Sequence, residues 1–121
     1  MTATVAETLR KAADLIEPKG AWTQGYYARD ASGRYWEEDP DSDAQGSYVD
    51  FPAKCFCLYG AIAKAVGADD PFLMKTDGRI EDALRLATGT TLVADWNDAP
   101  ERTQAEVVAA LRAAADASEA P

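Results

Sequence analysis

The chain has 121 residues, 47% of them hydrophobic, with 21 acidic side chains against 12 basic ones and a net charge of −9. That describes one domain with one modest core, too apolar for a disordered chain, and a field whose sign repels phosphate and so disfavours direct nucleic-acid binding. The absence of histidine removes the Ser-His and Cys-His nucleophile pairs and every His-containing zinc site, and two cysteines fall short of the four thiolates of an all-cysteine site.

No metal and no cofactor are therefore expected, and any catalysis would rest on carboxylates, Lys, Tyr or a lone Cys. The opening "MTATVAETLRKAADL" carries acids and no continuous apolar run, unlike a signal peptide. The longest apolar runs are too short for a bilayer. Cys55 and Cys57 are too close in sequence to bridge easily. A reducing cytoplasm is the expected location, with no membrane partner.

In chain order, Thr4 and Glu7 form a capping box. Val5, Leu9, Ala12 and Ile16 follow at helical spacing, and "EPKG" ends the first helix at Glu17 to Gly20. Seven of the eleven aromatic residues then fall together: Trp22, Tyr26, Tyr27, Tyr35, Trp36, Tyr48 and Phe51. Inside that stretch "RDASGR" places Asp30 and Gly33 at the ends of a type I turn, which predicts a β-hairpin between "GYYA" and "YW". Residues 37 to 50 read as an irregular acidic loop.

After Pro52 the spacing of Cys55, Phe56, Tyr59, Ile62, Ala63 and Val66 predicts a second helix from Ala53 to Val66, with Lys54, Ala61 and Lys64 on its wet side. Small residues at Cys57, Gly60 and Ala61 would let another backbone approach closely. Gly67 ends the helix, and Asp70-Pro71 opens a short turn holding Phe72, Leu73 and Met74. A third helix starts from Asp77 as N-cap and runs through Ile80, Ala83, Leu84 and Ala87 to Gly89. "TLVADW" reads as a short strand or turn. The last helix has two competing capping boxes, Thr103 with Glu106 and Asp98 with Glu101, and buries Val107, Val108, Leu111 and Ala114.

Three groups of residues carry candidate chemistry. A thiol near a helix N-terminus beside Lys54 is activated in cysteine hydrolases, but here the base is missing, so Cys55 and Cys57 read first as packing, with Cys55 expected in the core. The loop "DPDSDAQGSYVD" puts Asp39, Asp41, Asp43, Ser47 and Asp50 at calcium-ligating positions of an EF-hand-like loop. It departs from that pattern at Ala44, Gly46 and Asp50, so a solvated acidic loop is preferred. In "DWNDAPERTQ", Trp96 reads as a buried anchor and Asn97 or Asp98 as a cap. The functional alternative is a polar-aromatic pocket of Trp22, Gln24, Tyr26, Cys57, Trp96, Asn97 and Asp98.

The segments "ADLIEPKGAWTQGYYARDASG", "CFCLYGAI" and "WNDAPERTQAEVVAALRAAA" resemble a family of small proteins of bacteria and their phages, a domain of unknown function. The shared elements are Glu17-Pro18, Trp22 to Gly25, Cys57 with Gly60-Ala61, and Trp96 to Pro100. Relatives often have Gly where Glu101 stands here. The resemblance implies a common fold and an accessory role, and no reaction.

The expected fold is α+β, mainly helical, with about four helices and a small β-hairpin in one domain over 1–121, frayed at 1–3 and 118–121. The expected function is non-enzymatic: an accessory protein that binds a protein partner, basic or itself nucleic-acid-binding, through Tyr35, Trp36, Glu37, Glu38, Asp39, Asp41 and Asp43. The alternative is a small-ligand-binding or hydrolytic domain built on the pocket above.

Overall fold

The computed structural model describes residues 4–36, 48–68, 71, 74 and 77–119, without the Val49 side chain. The chain runs α1 (Val5–Ile16), β1 (Ala28–Asp30), a 3-10 turn (Tyr48–Asp50), β2 (Ala53–Phe56), α2 (Leu58–Val66), α3 (Gly78–Thr88), α4 (Val93–Asp98) and α5 (Gln104–Glu119). It is an α+β domain, mainly helical. The strands β1 and β2 pair antiparallel with a bulge between Arg29 and Asp30.

Local signals fix three of the helix starts. Thr4 Oγ1 accepts from the Glu7 backbone N–H and caps α1. Asp77 accepts from the Arg79 and Ile80 N–H groups and caps α3, which ends at Gly89 in the left-handed conformation. Of the two competing boxes, Thr103 and Glu106 start α5: Thr103 N–H donates to Glu106 Oε1 and Glu106 N–H donates to Thr103 Oγ1. Helix α1 packs on α5 and α2, and α3 packs on α5. Leu9, Ile16, Leu84, Val107 and Leu111 are fully buried between them, each contributing about 1.5–3 kcal/mol relative to exposure. Helix α5 continues to Glu119, through the first of the residues expected to fray.

The hairpin turn forms as its residues require. Gly33 N–H donates to the Asp30 carbonyl and Gly33 has φ +89°. The Asp30 carboxylate accepts from Ser32 N–H, the Ser32 hydroxyl and Arg34 N–H. The return arm is short, a single bridge between Arg29 and Tyr35. The full partner of β1 is β2, taken from the segment expected to begin the second helix.

That is the main correction. Ala53 to Phe56 form a strand, and the helix starts only at Leu58 with Cys57 as its N-cap. The apolar three- and four-residue spacing continues across a strand–helix junction, so periodicity alone does not show the break. Long-range bonds make it: Phe56 N–H donates to the Ala21 carbonyl, Thr23 N–H to Phe56, and Cys57 N–H to Tyr27. Cys55, expected in the core, is only partly buried on the strand, whereas Cys57 is buried. Ala61, expected on the wet side, is fully buried, and Val66 is exposed. "TLVADW", expected as strand or turn, contributes to the short helix α4. Ala99 then turns extended before Pro100 (φ −59°, ψ 135°), as residues preceding proline do. Met74 and Pro71 are buried, while Phe72 and Leu73 lie outside the described residues.

Two carboxyls are held below the usual carboxylate range. Asp30 owes this first to the Ser32 hydroxyl, and Glu106 first to the Thr103 backbone N–H. A depressed carboxyl stabilises the fold above its unfolded value, near pH ~4, and that contribution is lost as pH falls through the lower folded value. The melting temperature should therefore drop between about pH 5 and 3. Thr103→Ala should raise the Glu106 value followed by NMR titration, and an unmoved value would mean the capping box is not formed in solution.

Candidate functional site

Of the candidate pocket residues, Trp22, Gln24, Asn97 and Asp98 come together beside Cys57, the N-cap of α2, whereas Tyr26 stacks on Tyr35 in the hairpin and the Trp96 ring lies against Arg102. The Asn97 side chain is only 2% exposed. Its Oδ1 accepts from Trp22 Nε1 at 2.9 Å and from Leu58 N–H at 3.2 Å. Its Nδ2 donates to Asp98 Oδ1 at 2.9 Å. The same Asp98 oxygen accepts from Gly25 N–H, and Gln24 Nε2 donates to the Asn97 and Ala99 carbonyls. The Trp22 to Gly25 segment is thereby tied to the end of α4. Asn97 supplies what the first turn of α2 lacks, an acceptor for an otherwise orphaned N–H.

Asn97 and Asp98 were expected to cap the helix that follows them. Asn97 instead caps α2 from 39 positions away, and Asp98 binds the Gly25 backbone. Trp96, expected buried, is half-buried. Its indole lies under the Arg102 guanidinium at 4.0 Å, and Arg102 Nε donates to the Trp96 carbonyl. Arg102 was absent from the sequence-derived site. Its place in "WNDAPERTQ", six residues after Trp96, was the available signal.

Cys57 closes the other side. Its Sγ accepts from Gly60 N–H at 3.4 Å, the cap role that Ser or Thr oxygens usually fill. The close backbone approach anticipated at Gly60 is present. A Cβ placed there would lie 1.9 Å from the Tyr27 carbonyl oxygen and 2.8 Å from the Tyr48 hydroxyl. Tyr48 donates to the Gly60 carbonyl at 2.6 Å, and burial pushes its hydroxyl pKa up. The chemistry of this cluster is mutual satisfaction: its polar atoms bond one another, as buried polar groups must.

The cysteines give a direct check. Native thiol titration should label the partly buried Cys55 readily and Cys57 only on unfolding. Equal, fast labelling of both would show that the α2 cap opens in the native state.

The hairpin presents a different surface. Tyr26 and Tyr35 stack at 3.8 Å between ring centroids with planes 19° apart, and the Arg29 guanidinium sits 5.0 Å from the Tyr26 centroid. Tyr26 is 37% exposed. Trp36 turns the other way. It is 8% exposed and meets Tyr27 and Tyr48 edge-to-face at 6.3 and 5.2 Å. It is thus a core ring, not a surface anchor. Glu37, Glu38, Asp39, Asp41 and Asp43 lie outside the described residues, as do the calcium-loop positions except Asp50, which is exposed in the 3-10 turn. Among the described residues no group of three His, Cys, Asp or Glu side chains could hold a metal ion. Nor is any described helix long and apolar enough to cross a membrane.

The model of a family of unknown function, DUF6197, matches residues 1–117. The chain belongs to that family. No curated protein and no solved structure matches it. All three segments that suggested the resemblance lie within the matched range, and they meet at Asn97, Cys57 and Gly60. For this member of DUF6197 the motifs build one interlocked element.

Proposed function

We propose that this protein is a non-enzymatic accessory protein, cytoplasmic and of bacterial or phage origin, that binds a protein partner through the outer face of its hairpin. The observation that carries the reading is the stack of the exposed Tyr26 on the half-buried Tyr35, which is followed in sequence by Glu37, Glu38, Asp39, Asp41 and Asp43. A stacked tyrosine pair is rigid before binding, so little side-chain entropy remains to be lost, and aromatic residues dominate interface hot spots. Five acids close behind it, in a chain of charge −9, favour a basic partner and speed its approach. A nucleic-acid-binding protein, whose basic surface this face would occupy, is the partner class that fits.

The small-ligand alternative receives less support. Trp22 Nε1, Gln24 Nε2 and both polar atoms of Asn97 are engaged with one another, with Asp98 or with backbone, leaving few to greet a ligand. The test is partner capture followed by binding kinetics. Tyr26→Ala with Tyr35→Ala should abolish capture, and replacing the five acids by their amides should slow association. The wild-type rate should fall as salt rises. Unchanged capture by the tyrosine variant would place the interface elsewhere.

A further inference from the structure

Four large apolar side chains are exposed among the described residues: Tyr26, Val66, Leu86 and Leu92. Two of them share one surface. Leu86, 78% exposed, lines a groove of about 630 Å³ whose apolar part also takes in Val5 of α1, Ala83 of α3 and Ala117 of α5. Val66 lines an adjoining depression with Val5 and Ile80. The two share Val5, Arg79 and Asp82, so the apolar surface is continuous past the first turns of α1 and α3. Its rim carries charges of both signs that the chain leaves largely unused. Among the described residues the Arg79 guanidinium and the Glu7 carboxylate form no ion pair, and Asp82 has only Arg85, at 4.0 Å. The other arginines on helices, Arg10, Arg85 and Arg112, each lie within 3.5 Å of a carboxylate.

We propose that this surface docks a second copy of the chain, α3 against α3 in antiparallel orientation about a twofold axis. The argument is charge complementarity of the face with itself. Arg79, Asp82 and Leu86 are all exposed and follow at helical spacing on one face of α3. A twofold beside Asp82 and Ala83 sets Arg79 across from Leu86 of the second copy, with Asp82 of that copy one turn away. Each guanidinium then reaches a carboxylate while its methylene stem covers the exposed leucine, and the symmetry makes every such contact twice. A basic partner fits this face poorly, because the unpaired Arg79 would repel it. An acidic partner would be repelled by Glu7, Asp82 and the net charge of −9. A partner with both signs in the same order is the one this rim matches, and this chain is such a partner. The face lies on α1, α3 and α5, away from the hairpin, and does not depend on the partner surface proposed there.

The test is sedimentation velocity on the full chain in about 0.15 M salt, which screens the repulsion between two acidic chains but not contacts of a few ångströms. The wild type should pass from monomer to dimer with a Kd of about 10–100 μM, the weak end expected of a small interface. Leu86→Lys sets a cation against Arg79 of the other copy and should weaken the dimer by at least about tenfold. Arg79→Asp and Asp82→Arg each set like charges together and should do the same when studied alone. Mixed in equal amounts, these two variants carry opposite charges at every contact and should form a heterodimer about as tight as the wild type. All three positions are exposed, so the variants should melt with the wild type, which separates lost docking from lost folding. A chain that stays monomeric to millimolar concentration overturns the proposal, and the groove then belongs to the chain's own ends or to a different protein. A dimer that Leu86→Lys leaves intact uses another face and overturns it equally. If the mixed variants stay apart, Arg79 and Asp82 do not meet across a twofold and the proposed docking is wrong.

Discussion

Asn97→Ala should destabilise the protein by on the order of 3 kcal/mol, because each buried donor left without an acceptor costs about 1–3 kcal/mol. Two donors are stranded: Leu58 N–H, fully buried at the start of α2, and Trp22 Nε1, half-buried under the same turn. A water entering the space left by alanine could reach these two donors and Asp98 Oδ1, and would offset part of the loss. For a domain of this size the loss corresponds to roughly 10 °C in melting temperature. Urea unfolding followed by tryptophan fluorescence measures it, since Trp22 reports on the broken contact. Asn97→Asp separates the roles. Both donors keep an acceptor, but the attractive bond to Asp98 Oδ1 becomes a repulsion between carboxylates, and a charge is buried. This variant should be destabilised at neutral pH and recover as pH falls and the new carboxyl takes a proton. If Asn97→Ala unfolds at the wild-type urea concentration, water serves both donors and the junction is not what holds the motifs together.

How much of this was legible in the sequence depends on the range of the interaction. The starts of α1, α3 and α5 were readable because a cap and the N–H it serves lie within three residues: Thr4 with Glu7, Asp77 with Ile80, Thr103 with Glu106. The Asp30–Gly33 turn was readable for the same reason. Strand β2 was not. Cys55 and Phe56 pair with Arg29 and Ala28, some 26 to 28 positions away in sequence, and no local pattern reports a partner at that distance. Trp36 was misplaced for a related reason. Composition groups it with Tyr35, but along an extended arm successive side chains face opposite sides, so Tyr35 stacks on Tyr26 outside while Trp36 meets Tyr48 inside. Trp22, Gln24, Asn97 and Asp98 were grouped, with a structural capping role preferred for Asn97 and Asp98, but the donors they serve lie far away in sequence. Sequence shows polar side chains near one another, and only the structure shows that Asn97, Gln24 and Asp98 already spend their hydrogen bonds on the fold.

Gly60→Ala should be the most damaging single-methyl change in the described chain. Helix propensity argues the opposite sign, since alanine inside a helix is favoured over glycine by about 1 kcal/mol. The site decides against it. The added carbon would lie 1.9 Å from the Tyr27 carbonyl oxygen and 2.8 Å from the Tyr48 hydroxyl, and neither neighbour can yield cheaply. Tyr27 O accepts from Cys57 N–H, one turn earlier, so moving β1 outward breaks the strand-to-helix junction. Tyr48 is locked by its own bond to the Gly60 carbonyl. Helix α2 cannot slide either, because Asn97 holds Leu58 N–H and Cys57 Sγ holds Gly60 N–H. Overpacking of a tight core typically costs about 1–3 kcal/mol, and a clash with backbone belongs at or above the top of that range. We expect a loss of about 3 kcal/mol or more, read by urea unfolding. Gly78→Ala is the control: Gly78 opens α3, and a Cβ there meets nothing within 4 Å. That variant should be neutral or more stable by about 0.5 kcal/mol. The two substitutions are chemically identical, so opposite signs would isolate the contact with Tyr27 as the cause. Equal and small effects at both positions would mean that β1 and α2 are not packed backbone to backbone at Gly60, and the meeting of the three motifs there would lose its physical basis.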